Sequence, residues 1–273
     1  MRPEYERVDN TEPFWGFFSK EFGTAESAKK ELKEIIGSNG FETVKPIEVI
    51  KRLLYHSTDT NDVILDFFSG SSTTAHAVMQ LNSEDDGRRK FIMVQLPEVT
   101  DEKSEAYKAR YKNICEIGKE RIRKAAKKIV EENPEVKFDG GFRVLKCDTS
   151  NMKDVYYTPN EYTTDKFSEL EDNIKEDRTS EDLLFQVMLD LGVLLSSKIE
   201  ETTIAGKKVF NVEDNYLIAC FDENVTDEVI TEIAKQKPYY FVMRDSSMAT
   251  DSVATNFEQI FDTYSSETIR KVI

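Results

Sequence analysis

One segment of the chain has the hydrophobic pattern of a βαβ unit. Residues 62–68 and 91–96 are continuous apolar runs, which are typical of short strands buried in a parallel sheet. Between them lie a turn of small residues at 70–74, a predicted helix at 75–81 and a polar loop at 82–87. The order strand, turn, helix, strand predicts two parallel neighbours in an α/β sheet.

Helices with one apolar face flank this unit. Apolar residues recur at helical spacing in residues 25–36, where Gly37 marks a stop, and in residues 45–56, where Pro46 suits the first turn. A longer amphipathic stretch, residues 103–132, predicts one continuous helix whose outer face is rich in lysine and arginine. Such a face can contact DNA or a partner subunit, although a solvated surface is the simpler interpretation.

The second half of the chain has the pattern of a smaller α/β domain. A proline and a Gly-Gly turn separate it from the first half, which sets the predicted domains at residues 1–135 and 142–273. Its predicted helices are residues 183–197, 226–235 and 257–264, and its predicted strands are residues 142–147, 208–211, 216–221, 240–244 and 269–273.

Composition narrows the class of protein. The 273 residues include only three cysteines, which are far apart, so no disulfide framework or zinc site is expected. No apolar run approaches the roughly 20 residues that span a bilayer, and the N-terminus has no apolar signal segment. We therefore predict a cytoplasmic protein with no membrane contact. The net charge of −15 indicates that DNA phosphates, if contacted, are held mainly by another segment.

The best candidate for a binding site is the turn after the first predicted strand. Asp66 ends the strand, and the small residues of 69–74 allow a ligand to approach the backbone closely. The next helix begins with unpaired N–H groups, and the carboxylate can accept a hydrogen bond from a ligand. Because the turn lacks GxGxxG and the lysine of a P-loop, it favours a nucleotide-like cofactor without a triphosphate. A purely structural turn is the alternative.

The sequence around this turn resembles a known family. DFFSGSSTTAHAVMQLN (residues 66–82) and RRKFIMVQLPE (residues 88–98) resemble motif I and the next strand of amino-methyltransferases that use S-adenosylmethionine. A preceding Lys-Pro pair, the helix at 111–125 and residues 219–273 narrow the resemblance. They are similar to the modification (Mod) subunit of type III restriction–modification systems, a DNA adenine-N6 methyltransferase.

The resemblance implies a fold, a cofactor and a reaction. The implied fold is α/β, with a partial Rossmann-like S-adenosylmethionine-dependent methyltransferase sheet and a second, smaller α/β domain. The implied cofactor is S-adenosylmethionine, and the intact enzyme flips an adenine so that N6 attacks the methyl group. The implied partners are a restriction (Res) subunit, a second Mod subunit and, in the context of the full-length subunit only, DNA.

The same resemblance assigns roles to individual residues. Asp66 would face the amino group of the cofactor's methionine, and Gln95, or else Glu98, would bond the ribose hydroxyls. Ser72 stands where the family has glycine, and its Cβ narrows the approach to the turn. The cofactor-binding residues implied in this way are Asp66, Phe68, Gly70, Ser71, Ser72, Thr73, Lys45, Pro46 and Gln95.

The family's catalytic loop, (Asp/Asn)-Pro-Pro-(Tyr/Phe), is absent from this sequence. None of the seven prolines is doubled, and the Lys-Pro-Tyr-Tyr segment at 237–240 matches the loop only superficially. In the family, this loop and the target-recognition domain precede the Lys-Pro pair. We therefore expect this chain to be the C-terminal portion of a Mod subunit that is inactive alone and supplies no catalytic residue.

Two other functions remain open from the sequence. The apolar helix at 183–195 and the strands that follow it could form an assembly module that joins Mod to a second Mod or to the restriction subunit. An unrelated nucleotide-binding α/β protein is the third alternative, and tight ATP binding would favour it. His56 and His76 lack metal-ligand spacing, so structural roles are expected for both and no metal is expected.

Overall fold

The chain folds into two compact units. The computed structural model describes residues 17–38, 40–135, 139–153 and 173–273. Unit 1 comprises Met1–Leu145 and unit 2 comprises Lys146–Ile273. Both contain helices and strands, so the predicted α/β class is confirmed. Within the described ranges, no helix is long and apolar enough to cross a bilayer.

The described part of unit 1 contains two strands, four helices of 11 to 19 residues and one helix of a single turn. Its strands are β1 (Val63–Asp66) and β2 (Lys90–Met93). A short 3₁₀ turn at Lys20–Phe22 precedes the first helix. The helices are α1 (Ala25–Ile36), α2 (Ile47–Ser57), α3 (Thr73–Asp85), the one-turn α4 (Glu105–Lys108) and α5 (Ile114–Glu132).

The predicted βαβ unit is confirmed. β1 pairs in parallel with β2, with Val63 opposite Lys90 and Asp66 opposite Met93. Helix α3 connects the two strands, and it is longer than predicted because it takes in the polar residues up to Asp85. Each strand is shorter than predicted, since the chain leaves β1 directly after Asp66 to form the turn.

The two strands are buried on one face only. Ile64 and Phe91 pack against the apolar faces of α2 and α3. The alternate residues Val63, Leu65 and Ile92 are each more than half exposed. The expectation of full burial is therefore wrong for this sheet as it stands, because all the described helices that pack on it lie on one side.

The prediction of a single helix over residues 103–132 is also wrong. The structure divides it into α4 and α5, because Arg110 adopts a left-handed conformation with φ 73°. Asn113 then caps α5, its side-chain Oδ1 accepting a hydrogen bond from Glu116 N at 3.1 Å. The break allows the Thr100 N–H to donate to the Lys112 carbonyl, which ties the chain after β2 to the start of α5.

Unit 2 contains a five-stranded mixed sheet in the order β3-β4-β5-β6-β7. The pairs β3–β4 and β4–β5 are antiparallel, whereas β5–β6 and β6–β7 are parallel. The strands are β3 (Ile199–Ile204), β4 (Lys207–Val212), β5 (Leu217–Cys220), β6 (Tyr240–Met243) and β7 (Ile269–Val272). The helices are α6 (Ser180–Asp190), α7 (Asp227–Lys235) and α8 (Asp251–Tyr264).

Two hydrophobic clusters cover the two faces of this sheet. Helices α7 and α8 pack on one face, where Phe241 of β6 meets Phe257 and Phe261 of α8. Helix α6 packs on the other face through Leu184 and Met188. Alternate residues of the central strands point to opposite clusters, which explains their full burial.

The second half of the structure differs from its predicted elements at several points. Residues 142–147 form no strand, and Phe142 packs instead against the α5 cluster of unit 1. The helix predicted at 183–197 runs from Ser180 to Asp190, because Thr179 caps its start. Strand β3 was not predicted, since its residues are mostly polar and exposed.

Candidate functional site

The candidate site is the turn that joins β1 to α3, residues 67–72, here called the β1–α3 turn. It follows the carboxyl end of β1, where ligands bind in open α/β sheets. The Ser69 N–H donates to the Val94 carbonyl at 3.1 Å, and the Ser72 N–H donates to the Ser69 carbonyl at 2.7 Å. These bonds hold the turn over the ends of both strands of the sheet.

Asp66 is fixed at the edge of this turn. Its Oδ1 accepts a hydrogen bond from Phe68 N at 3.1 Å, and its Oδ2 accepts one from Thr74 Oγ1 at 2.6 Å. The side chain is half-buried. An ionised carboxylate has about four lone-pair sites, so both oxygens keep the capacity to accept a bond from a ligand. The structure therefore presents an oriented acceptor beside the turn.

Two left-handed residues give the turn its shape. Gly70 has φ 50° and Ser72 has φ 58° and ψ 40°. A Cβ at Gly70 would lie 3.1 Å from Phe41 Cζ, so Phe41 packs directly against the turn. Ser72 is the N-cap of α3, and no side-chain capping hydrogen bond compensates its backbone conformation.

Replacing Ser72 with glycine is expected to stabilise unit 1. Glycine adopts the left-handed conformation without the Cβ penalty, so Ser72→Gly should raise the free energy of unfolding by about 1 kcal/mol. Ser83→Gly, inside α3, is the control and should lower it by about 0.5 kcal/mol, because glycine is a poor helix residue. Urea denaturation followed by circular dichroism measures both. Two changes of the same sign would contradict the assignment of strain to Ser72.

The structure brings Gln95 to the turn. Its Oε1 accepts a hydrogen bond from Gly70 N at 2.7 Å, and its Nε2 donates to the Leu96 carbonyl at 3.2 Å. Gln95 therefore supports the turn directly, a contact that the sequence did not reveal. Glu98 is exposed three residues further along, and its backbone carbonyl accepts from the Ile114 N–H of α5.

The other predicted residues lie in contrasting surroundings. The predicted residue Phe68 is 83% exposed, and its ring centroid lies 5.0 Å from that of Phe67, which was not predicted and is 62% exposed. The two rings form an apolar surface beside the turn. Pro46 is the N-cap of α2, and a Cβ at Gly23 would lie 2.7 Å from its Cβ. Lys45 is exposed. Phe41, rather than Lys45 or Pro46, makes the closest approach to Gly70.

A buried arginine lies beneath the turn. The Arg121 side chain of α5 is fully buried, and its Nη1 donates to Thr73 Oγ1 at 2.7 Å, Ser71 Oγ at 3.0 Å and the Ser71 carbonyl at 3.4 Å. Burial lowers the pKa of Arg121 to about 10, and the charge of Glu31 opposes this effect. The guanidinium therefore stays protonated at neutral pH. The sequence placed Arg121 on the lysine- and arginine-rich outer face of the predicted helix, and this placement is wrong because the side chain is fully buried. Its contact with the turn was not predicted.

Helix α3 also carries a neutral histidine, one helical turn after Thr73. His76 is 5% exposed, and burial, the charge of Arg121 and the charge of Lys128 together lower its pKa to about 3. His76 also lines a cavity of about 240 Å³ together with Glu31 and Lys128. Within the part of the chain that the structure describes, no group of histidine, cysteine or acidic residues could hold a metal ion. A buried structural role for His76 agrees with its surroundings.

The first half of the chain is similar to a known protein family. Residues 2–128 match the family described as DNA methylase, and this stretch contains the whole β1–α3 turn. The chain is a relative of DNA methylases. It is 42% identical over 125 residues to the type III restriction–modification enzyme StyLTI Mod subunit of Salmonella typhimurium, which covers 46% of this chain and 19% of that protein.

Two further relatives are Mod subunits of the same type. The EcoPI Mod subunit of Escherichia phage P1 is 30% identical over 238 residues, covering 86% of this chain and 35% of that protein. The EcoP15I Mod subunit of Escherichia coli is 30% identical over 244 residues, covering 85% of this chain and 34% of that protein. The resemblance to a Mod-type DNA methyltransferase, an enzyme class, is thus confirmed. The chain spans about a third or less of the length of these relatives.

Proposed function

We propose that unit 1 binds S-adenosylmethionine at the β1–α3 turn, as the cofactor-binding part of a site-specific DNA adenine-N6 methyltransferase of a type III system. The observation that carries this proposal is the Asp66 carboxylate, which is oriented by Phe68 N and Thr74 Oγ1 at the carboxyl end of β1. It stands beside a turn of small residues and the N-terminus of α3. The fold proposed with it is Rossmann-like, with a smaller second α/β domain.

The chemistry of the turn fits this cofactor. A carboxylate at Asp66 accepts hydrogen bonds from the ammonium group of the cofactor's methionine, a charge-assisted pair. Gln95 still has one amide hydrogen and one lone pair beyond its two bonds, so it can bond a ribose hydroxyl. Phe68 and Gly70 would shape the pocket, Ser71, Ser72 and Thr73 would lie beside the methionine moiety, and Lys45 and Pro46 would form the neighbouring wall.

We assign methyl transfer to the complete enzyme and not to this chain alone. When bound, the cofactor supplies an electrophilic methyl group, which the N6 of a flipped adenine attacks. In the family, the acceptor for the hydrogens of that amine belongs to the catalytic loop, and no doubled proline occurs in this sequence. We propose that this loop and the target-recognition domain lie on a different segment. Unit 1 contributes orientation of the cofactor, which is a separate requirement of the transfer.

The open face of the β1–β2 sheet supports the view that unit 1 is completed by another polypeptide segment. Leu65 of β1 is 57% exposed, and Val63, Ile92 and Val94 are similarly exposed on the same face. Parallel sheets occur almost only with both faces covered. We propose that the rest of a methyltransferase domain, carrying the catalytic loop, covers this face.

Charge is distributed unevenly between the two units. Residues 1–145 contain 24 basic and 26 acidic residues, whereas residues 146–273 contain 13 basic and 26 acidic residues. The net negative charge therefore belongs to unit 2, which suits a role away from DNA phosphates. We propose that DNA is bound only by the complete subunit, and that a restriction subunit and a second Mod subunit are its protein partners in the cytoplasm.

An assembly module is the alternative function. Leu189 of α6 and Leu194 after it are 63% and 71% exposed, which is consistent with a contact surface on unit 2. The relatives cover 85% and 86% of this chain, so both units have counterparts in Mod subunits. The methyltransferase proposal is therefore favoured, and assembly becomes a contribution of unit 2 to the same protein.

Calorimetric titration with S-adenosylmethionine tests the proposed function. We expect Asp66→Asn to weaken binding by about 10- to 100-fold, because it removes the charge from a hydrogen bond to the cofactor's ammonium group. Asp62→Asn is the matched control. It lies just before β1, and its carboxylate accepts a hydrogen bond from Asp59 N, away from the turn.

The two variants also define the outcomes that oppose the proposal. Equal affinities for wild-type protein and Asp66→Asn would remove Asp66 from the site. A loss of affinity in Asp62→Asn as large as that in Asp66→Asn would indicate a general effect of acid removal. Absence of any binding by the wild-type chain at millimolar cofactor would overturn the site itself.

A further inference from the structure

Helix α5 approaches the β1–α3 turn unusually closely at one point. A Cβ at Gly118 would lie 2.5 Å from Ser72 Oγ and 3.5 Å from the Gly70 carbonyl oxygen. Gly118 is therefore the residue that allows the helix backbone to pack against the turn. Arg121 follows one helical turn later on the same buried face of α5, so its side chain reaches under the turn.

The hydrogen bonds of Arg121 bracket the strained residue. Its Nη1 donates to Ser71 Oγ at 3.0 Å and to Thr73 Oγ1 at 2.7 Å, so it holds the neighbours on both sides of Ser72. Ser72 has φ 58°, a conformation that L-residues adopt only where the surroundings impose it. Arg121 supplies this constraint, because its hydrogen bonds hold Ser71 in the turn and Thr73 at the start of α3 in fixed positions.

Arg121 is costly where it lies. Its side chain is 0% exposed, and its Nε and Nη2 have no hydrogen-bond partner among the described residues. A positive charge near the N-terminus of α3 also opposes the helix dipole. Glu31 compensates only in part, since it is half-buried and this burial raises the pKa of its carboxyl group. An apolar side chain of similar volume would commonly be at least as stable in such a place.

We propose that Arg121 is a positioning residue that holds the β1–α3 turn in the conformation that receives the methionine moiety of the cofactor. This inference rests on the proposed function. Arg121 acts through Ser71 and Thr73 and does not touch the cofactor. By fixing the turn before binding, it removes the ordering cost that a loose turn would impose on the ligand.

Two ligands separate this role from a general effect on folding. S-adenosylhomocysteine carries the amino-acid moiety, whereas 5′-methylthioadenosine lacks it. In Arg121→Gln we expect affinity for S-adenosylhomocysteine to fall at least tenfold, while affinity for 5′-methylthioadenosine changes less than twofold. Arg121→Lys retains a charge and donors, so it should recover part of the affinity, and it serves as the test if Arg121→Gln does not fold.

A matched arginine and a ligand-free measurement complete the experiment. Arg89 is buried at the other end of α3, where it bonds Thr58 Oγ1 and Asp85, so Arg89→Gln is the control for loss of a buried arginine. Hydrogen exchange is followed by mass spectrometry on the unliganded chain. Arg121→Gln should accelerate exchange in residues 69–76 at least tenfold and leave β1 and β2 unchanged, whereas Arg89→Gln should leave 69–76 unchanged.

Each other outcome overturns a stated part of the inference. Equal loss of affinity for both ligands, with faster exchange throughout unit 1, would make Arg121 a structural residue only. Unchanged affinities and exchange would remove the positioning role. If the wild-type chain binds neither ligand while exchange at 69–76 still rises in Arg121→Gln, the proposed cofactor site fails and the contact with the turn stands alone.

Discussion

Lowering the pH from 7 to 5 is expected to reduce the free energy of unfolding of unit 1 by about 2 kcal/mol through His76 alone. The pKa of His76 is lowered from 6.5 to about 3 in the folded chain. The first cause is burial, because an imidazolium that is removed from water loses its hydration. The charges of Arg121 and Lys128 add repulsion.

The direction of this change in the free energy of unfolding follows from the pKa values of His76 in the unfolded and the folded chain. Above pH 6.5, His76 is neutral in both the folded and the unfolded chain, so it imposes no penalty. Between pH 6.5 and about 3, His76 is protonated in the unfolded chain but stays neutral in the folded chain. The free energy of unfolding therefore falls as the pH falls. The accumulated loss should reach about 4 kcal/mol near pH 3.

Glu31 changes the free energy of unfolding in the opposite direction, so its contribution must be separated from that of His76. Burial raises the pKa of Glu31, so acidification relieves a penalty that its charged form imposes on the folded state. We therefore compare wild-type protein with His76→Gln, which has no titratable group at this position. Urea denaturation at pH 7.0 and pH 5.0 should show a loss larger by about 2 kcal/mol in the wild type. Equal losses in the two proteins would contradict a buried, neutral His76.

Truncation of Phe241 is expected to have the largest effect on unit 2. Its ring is fully buried in β6, with centroids 5.3 Å from Phe261 and 5.9 Å from Phe257. Phe241→Ala removes these contacts and leaves a cavity between the sheet and α8. We expect a loss of about 3–5 kcal/mol in the free energy of unfolding, measured by urea denaturation.

Phe68→Ala is the matched control for this truncation. Phe68 is 83% exposed beside the β1–α3 turn, so removing its ring should change stability by less than about 0.5 kcal/mol. The same variant tests whether Phe68 contributes to cofactor affinity without the complication of unfolding. A Phe68→Ala loss that approaches the Phe241→Ala loss would show that the exposed ring is buried in solution.

Several elements could be predicted because their signals are local. The helix at 25–36 was predicted with the bounds found, since its apolar face repeats at helical spacing and Gly37 adopts the left-handed C-cap. The parallel βαβ order and the position of Asp66 at the end of β1 also follow from short-range patterns. The helix predicted over 103–132 failed because periodicity does not reveal the left-handed break at Arg110.

By itself, the sequence determined the α/β class, the βαβ order and the turn after Asp66 as the candidate site, because chain neighbours and residue spacing carry those signals. Only the tertiary structure decided that Gln95 and Arg121 support this turn and that one face of β1 and β2 is open. These contacts join residues 25 to 50 positions apart. No local pattern encodes such pairs, since the pairing of β1 with β2 brings Gln95 to the turn and the packing of α5 against α3 brings Arg121 there.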